Sequence, residues 1–260
     1  MSSYGLDVLA FGPHPDDVEL FCGGTLIHLA DLGYTTGVVD LSHGERASNG
    51  TVAQRAKESE EASKLLGLSL RENLGLPDAF INPWSGDGQN LEGSQLGKVI
   101  DALRRYRPEL VLIPWIEERH PDHVAAAELV TKAVFHAGLR NVQTASVAER
   151  FVPRQVLYYQ LRHRMTPSFV VDTSNAQIRK LEAIHCYSSQ LSRSAGAERT
   201  LISSSGAVAA IDARDRYCGS LIGAAHGEAL RTPNVPGLID PVKQFRDNPF
   251  TQAHAFEPLK

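Results

Sequence analysis

Cysteine is scarce. Cys22, Cys186 and Cys218 are odd in number, widely spaced and form no C-x-x-C pair, so packed, reduced thiols are expected rather than a disulfide framework or a thiolate zinc cluster. No segment approaches the roughly 20 consecutive apolar residues that cross a bilayer. The opening "MSSYGLDVLAFG" has no basic start and too short an apolar run for a secretory leader. Basic residues are not in excess: 26 Lys and Arg stand against 30 Asp and Glu, a net charge of −4, which argues against nucleic acid or an anionic membrane as partner. Repeats, low-complexity tracts and linkers are missing as well. No G-x-G-x-x-G follows the first apolar run, and Gly23-Gly24 falls within the helix after it, which disfavours a dinucleotide site. There is no P-loop to cradle phosphates and no G-x-S-x-G elbow. A cytoplasmic, soluble protein forming one domain over 1–260, with an irregular tail over about 231–260, is expected from 42% hydrophobic and 22% charged residues.

What is present alternates between apolar runs and helical spacing. Strands are expected at Leu6–Phe11, Thr35–Leu41, Glu109–Pro114, Gln155–Leu161 and Ser168–Asp172. Helices are expected at Glu19–Leu32, at Val52–Leu66 behind a Thr51/Gln54 capping box and before Gly67, at Leu96–Tyr106 before Pro108, and at Ala125–Ala137 before Gly138. A further helix, capped by Thr173 or Ser174, should reach about Tyr187, and a last one should run over Ala207–Leu221. Strand–helix alternation of this length implies right-handed crossovers and an α/β fold with a Rossmann-like, mostly parallel sheet flanked by helices. Such sheets bind ligands beyond the carboxyl ends of their strands.

Two tripeptides stand there. "GPHPDDVEL" (Gly12–Leu20) and "ERHPDHVAA" (Glu118–Ala126) each carry His-Pro-Asp directly after an apolar strand, in a chain with only 10 His and 14 Pro. The two motifs should therefore share one rim of the sheet. His14 and Asp17 are three apart, as are His120 and His123. Catalytic zinc sites use three ligands from His, Asp and Glu and leave one position open. Three of these four residues would satisfy that, with Asp16 and Asp122 as helpers and Pro15 and Pro121 stiffening the turns. One such motif alone reads equally well as a helix cap; two on one rim favour a metal.

With "SNGTVAQR", "ENLGLPD", the "VVDTS" strand end and "CYSSQ", these motifs resemble the LmbE/PIG-L family of zinc-dependent N-acetylglucosamine deacetylases over most of the chain. Within that family the chain is most similar to bacillithiol-pathway enzymes that deacetylate N-acetylglucosaminyl-malate. The resemblance implies His14, Asp17 and His123 as metal ligands and Asp16 as general base. It implies His120 as acid or oxyanion stabiliser, kept charged by an adjacent carboxylate, and Asp122 as the residue orienting His120. It implies one Zn2+ per chain, and two imidazoles with one carboxylate also accept Fe2+, Co2+ or Mn2+. A small N-acetylated glycoside as partner and a homo-oligomer, a hexamer in relatives, are implied in the same way.

Substrate contacts are expected from Arg55 and Arg119, since a guanidinium fork suits the carboxylates of malate, from Arg154, which resembles a family active-site arginine, and from Asn49. The structural readings beside these are a solvated helix arginine for Arg55, a pair with Glu117 or Glu118 for Arg119, and an Asn-Gly turn for Asn49. Glu19, His43 and His185 read as structural, and His226 has no assigned role. Pro13 stands where relatives usually have Ala, and Ser192–Ser205 reads as a mobile loop. The alternatives are the same chemistry on another acetylated sugar or thiol conjugate, or a sugar- or metal-binding regulator. A binder would have no use for Asp16 and His120 beside three ligands.

Overall fold

The computed structural model describes residues 5–85, 91–145, 149–191, 198–204 and 206–247. In chain order it runs β1 (Leu6–Gly12), α1 (Asp17–Asp31), β2 (Thr36–Ser42), α2 (Val52–Leu66), β3 (Leu70–Leu76), α3 (Gln95–Tyr106), β4 (Pro108–Pro114) and α4 (Pro121–Ala137). It continues with β5 (Gln155–Tyr159), β6 (Phe169–Asp172), α5 (Gln177–Cys186), α6 (Ser188–Leu191), α7 (Ala207–Ser220), β7 (Gly227–Arg231) and α8 (Pro241–Asp247). The strands form one sheet in the order β3-β2-β1-β4-β5-β7-β6. The first five pair in parallel, and β7 runs antiparallel to both β5 and β6.

The central strands are buried on both faces, which is why they read as unbroken apolar runs. Successive side chains point to opposite faces. Leu9 and Phe11 of β1 therefore join Val39, Val111 and Ile113 in a core closed by Val99, Ile100, Leu129 and Val130 of α3 and α4. Val8 and Ala10 join Val38, Leu112 and Tyr159 in a second core closed by Leu26, Ile184 and Ile211 of α1, α5 and α7. The chain leaves β1 in one direction through β2 and β3, then crosses back to place β4 on the other side of β1, with Ala10 beside Leu112. That reversal opens a crevice at the carboxyl ends of β1 and β4, where both His-Pro-Asp motifs emerge.

Several expectations are corrected. β3, "LRENLGL", was not expected as a strand; it is the sheet's edge, so polar residues replace the apolar run. β7 and α8 occupy the stretch expected to be irregular from about residue 231 and the segment just before it; the rest of that tail, 248–260, lies outside the described residues. Neither Thr173 nor Ser174 caps α5, which starts at Gln177 behind Ala176. The Ser174 hydroxyl instead donates to Asp172 and accepts the N–H groups of Ala225 and His226. β5 stops at Tyr159 rather than Leu161. Thr51 does cap α2, accepting from the Gln54 N–H at 3.2 Å. Cys22 and Cys218 are buried thiols and Cys186 is half-buried, none in a disulfide. No helix among the described residues is long and apolar enough to cross a membrane.

Candidate metal centre and catalytic cavity

The first motif is fixed before any side chain acts. The Ser42 N–H and hydroxyl at the end of β2 both donate to the Pro13 carbonyl, at 3.1 and 3.0 Å. Asp16, the residue before α1, sits at φ 117, ψ −28, a left-handed conformation that costs a non-glycine residue on the order of 1–3 kcal/mol and is typical of functional sites. In the second motif, Pro121 is the first residue of α4, where its missing N–H costs nothing.

The crevice brings the motifs together. The ring nitrogens and carboxylate of His14, Asp17 and His123 offer ligand atoms within 4.8 Å of one another, as do those of His14, His120 and Asp122. Asp17 Oδ2 is the pivot: it lies 3.0 Å from the His14 N–H, 3.1 Å from His14 Nδ1 and 3.3 Å from His123 Nε2. The rings of His14, His120 and His123 pack with centroids 4.7–5.6 Å apart. Three imidazolium ions that close would repel one another, whereas two neutral imidazoles and one carboxylate converging on a point are a donor set for a divalent cation. The residues therefore fit a metal. In the bare protein, burial opposes charge on His14, but its hydrogen bonds to the carboxylates of Asp122, Asp17 and Asp78 outweigh it and hold the imidazole well above its ordinary value. Asp17 is likewise held well below the usual carboxylate range, chiefly by His123, against the effect of burial.

Asp16 and His120 flank this set in a cavity of about 340 Å³. Burial pushes the Asp16 carboxyl up to about 7, against the pull of the Arg55 guanidinium 3.5 Å away. Burial and the neighbouring His123 and His14 push His120 below its ordinary value, so the expectation of a charged His120 is corrected. The Asp122 N–H points at His120 Nδ1 at 3.2 Å, so the neutral ring carries its proton on Nε2.

The remaining expected residues separate. The Asp122 carboxylate meets His14 Nε2 at 3.2 Å and accepts the Ala79 N–H at 2.7 Å, with His120 also within 4.8 Å. Arg55 is 4% exposed, and its guanidinium is turned to the Pro15 and Gly44 carbonyls and to Asp16 rather than held open as a fork. A Cβ at residue 44 would lie 1.9 Å from the Arg55 guanidinium, which is why glycine stands there. Asn49 exchanges amide hydrogen bonds with the Glu198 backbone, each 2.9 Å, and so holds the segment whose Thr200, Leu201 and Ile202 line the cavity. Arg119 lines the cavity. Arg154 does not: it precedes β5 and pairs with Glu109, at the opposite end of the sheet from the crevice. Glu19 binds Arg71 and Tyr187, and His185 the Leu181 carbonyl. His226 pairs with Asp212. Half of the loop expected at Ser192–Ser205, namely 192–197 and 205, lies outside the described residues.

Three cavity residues were not singled out from the sequence. Arg46, Asp78 and Arg162 follow β2, β3 and β5 on the same rim. The rule that paired the two motifs, looking beyond the carboxyl end of every parallel strand, points to them too. Among the described residues, no ion pair engages the guanidinium of Arg46, Arg119 or Arg162. Arg46 instead lies over the Phe80 ring.

Comparison with known proteins agrees with this geometry. The family model for PIG-L, GlcNAc-PI de-N-acetylase, matches residues 9–134, which include both motifs. The solved structure of the conserved protein TT1542 from Thermus thermophilus is 38% identical and superposes with a TM-score of 0.78 over 91% of this chain and 98% of that one. The chain belongs to the PIG-L family. The diacetylchitobiose deacetylase of Thermococcus kodakarensis is 28% identical over 193 residues, 70% of this chain and 69% of that protein. The N,N'-diacetylchitobiose deacetylase of Pyrococcus horikoshii shares the fold, with a TM-score of 0.72 at 23% identity over 92% of this chain and 88% of that one.

Proposed function

We propose that the protein is a zinc-dependent deacetylase that hydrolyses the N-acetyl group of an N-acetylglucosamine derivative with an anionic aglycone, N-acetylglucosaminyl-malate in this reading. The observation that carries it is the convergence of His14, Asp17 and His123 within 4.8 Å, with Asp16 and His120 in the same cavity. His14 Nδ1, Asp17 and His123 Nε2 would hold the metal, which when bound polarises an amide carbonyl and lowers the pKa of water. The Asp16 carboxylate takes a proton from the water that attacks the carbonyl carbon. The Nε2–H of His120 donates to the carbonyl oxygen as negative charge develops there. Asp16 then delivers its proton to the amide nitrogen as the C–N bond breaks, releasing acetate and a free amine. Arg55 holds Asp16 in its strained conformation and favours its ionised form. The anionic aglycone rests on the three guanidinium groups of Arg46, Arg119 and Arg162, which line the cavity and have no carboxylate ion pair among the described residues.

The test is acetate release from N-acetylglucosaminyl-malate, N-acetylglucosamine and diacetylchitobiose in parallel, with chelator and zinc add-back. Chelator-sensitive release that is fastest from the malate compound is expected. Equal release from the neutral sugars would overturn the anionic aglycone, and release indifferent to chelator would overturn the metal.

A further inference from the structure

His14 and His123 would hold the same cation, yet their outward nitrogens are treated differently. His123 Nδ1 is buried and has no hydrogen-bond partner among the described residues. His14 Nε2 faces two carboxylates, Asp78 Oδ1 at 3.1 Å and Asp122 Oδ2 at 3.2 Å. Asp122 belongs to the second motif. Asp78 comes from the loop after β3, and that loop is braced to deliver it. The Asp78 N–H donates to Glu45 at 2.8 Å, and the second Asp78 oxygen accepts the Arg46 N–H at 2.8 Å. Ala79 is held at φ 64, a left-handed conformation unfavourable for alanine; in it, the Ala79 N–H reaches Asp122. Asp78, Ala79 and Asp122 thus form one clamp on one ring nitrogen, with Asp78 only 6% exposed.

We propose that Asp78 is a positioning residue for the metal ligand His14. It fixes the Nε2–H tautomer, so that the lone pair of Nδ1 points toward Asp17 and His123. It also makes that nitrogen the more basic of the two imidazole donors. The inference rests on the metal reading above. It adds that metal affinity is set by a third loop, outside both His-Pro-Asp motifs.

The test is zinc affinity of the metal-free full-length protein, measured by competition with a chromophoric chelator, for the parent, Asp78→Ala and Asp78→Asn. Loss of such an outer partner lowers metal affinity by about 10- to 100-fold. Asp78→Ala should fall near the upper end and Asp78→Asn near the lower, because an amide oxygen still accepts from Nε2–H. The visible absorption of the cobalt-substituted protein should shift in Asp78→Ala and move back toward the parent in Asp78→Asn. If Asp78→Ala does not fold, the isosteric Asp78→Asn decides alone. Affinity of the folded variants within about threefold of the parent, well short of the loss expected for an outer-partner mutation, overturns this inference and leaves the metal reading intact. A parent that binds no zinc overturns both.

Discussion

Two clusters of buried charge lie on either side of the N-terminal half of α1, and they are closed in different ways. Behind the helix, Lys180 is fully buried and pairs with Asp215 and with Glu228, the latter at 2.7 Å. Arg214 completes the group, donating to Asp215 at 2.6 Å and to the Leu20 carbonyl at 2.9 Å. Glu228 also accepts the N–H groups of Gly24 and Thr25, at 2.9 and 2.6 Å. Both carboxylates there are answered by a lysine or arginine side chain. In front of the helix, Asp17, Asp78 and Asp122 are answered by the imidazoles of His14 and His123. The first cluster is finished by the chain itself. The second has no lysine or arginine ion pair among the described residues, and its imidazoles are donors that a metal could take; this difference sets scaffold apart from candidate site.

The comparison predicts that the two clusters fail in separate ways. Asp16→Asn should lower turnover by on the order of 10²- to 10⁴-fold while zinc binding and urea stability stay near the parent's; retained turnover would remove Asp16 as the base. Lys180→Met leaves Asp215 and Glu228 buried without their ammonium and should cost roughly 3–5 kcal/mol in urea unfolding, an effect that zinc cannot restore. The pH dependence carries a sign. Although burial works the other way, Lys180 and then Arg214 hold Asp215 below its ordinary 3.8. Its contribution is therefore fully present above that value and is lost as pH falls through the lower native one. Without Lys180 the carboxyl rises instead, so the deficit of Lys180→Met should be greatest near neutrality and shrink on acidification. A deficit that grows toward acid would contradict this.

On the site side, Arg162→Gln should raise KM for an anionic aglycone by about tenfold, the order of one charge-assisted hydrogen bond, with little change for a neutral N-acetyl sugar. An equal effect on both would make Arg162 part of the scaffold. The smallest effect expected is for Ala79→Gly, which relieves a left-handed alanine and should stabilise the protein by up to about 1 kcal/mol; a loss of stability there would show that the clamp needs the methyl group.

The parallel core and the two motifs were legible because burial on both sheet faces writes an uninterrupted apolar run, and each run ends in His-Pro-Asp. β3 was not, because an edge strand with Arg71, Glu72 and Asn73 carries no such run. The contact of Asp122 with His14 was not legible, because spacing along the chain places Asp122 beside His120, while the turn of α4 also brings its carboxylate to a histidine 108 positions away. Arg154 misled for the opposite reason: an arginine next to a strand lies at one end of the sheet or the other, and only the strand's direction says which.

The path of α1 is broken at Cys22, whose backbone leaves helical geometry at φ −142, ψ 15. The rod is therefore two rods. The short first one carries Asp17 and the cavity residues Leu20 and Phe21; the longer second one starts afresh at Gly24 and Thr25, whose freed N–H groups Glu228 receives. A continuous helix would pass any shift at its far end straight to Asp17, the carboxylate proposed to hold the metal. The break works as a mechanical joint whose second arm is bolted to the scaffold. Sequence drift along Thr25–Asp31 can then alter the outer helix and leave the coordination geometry where it is.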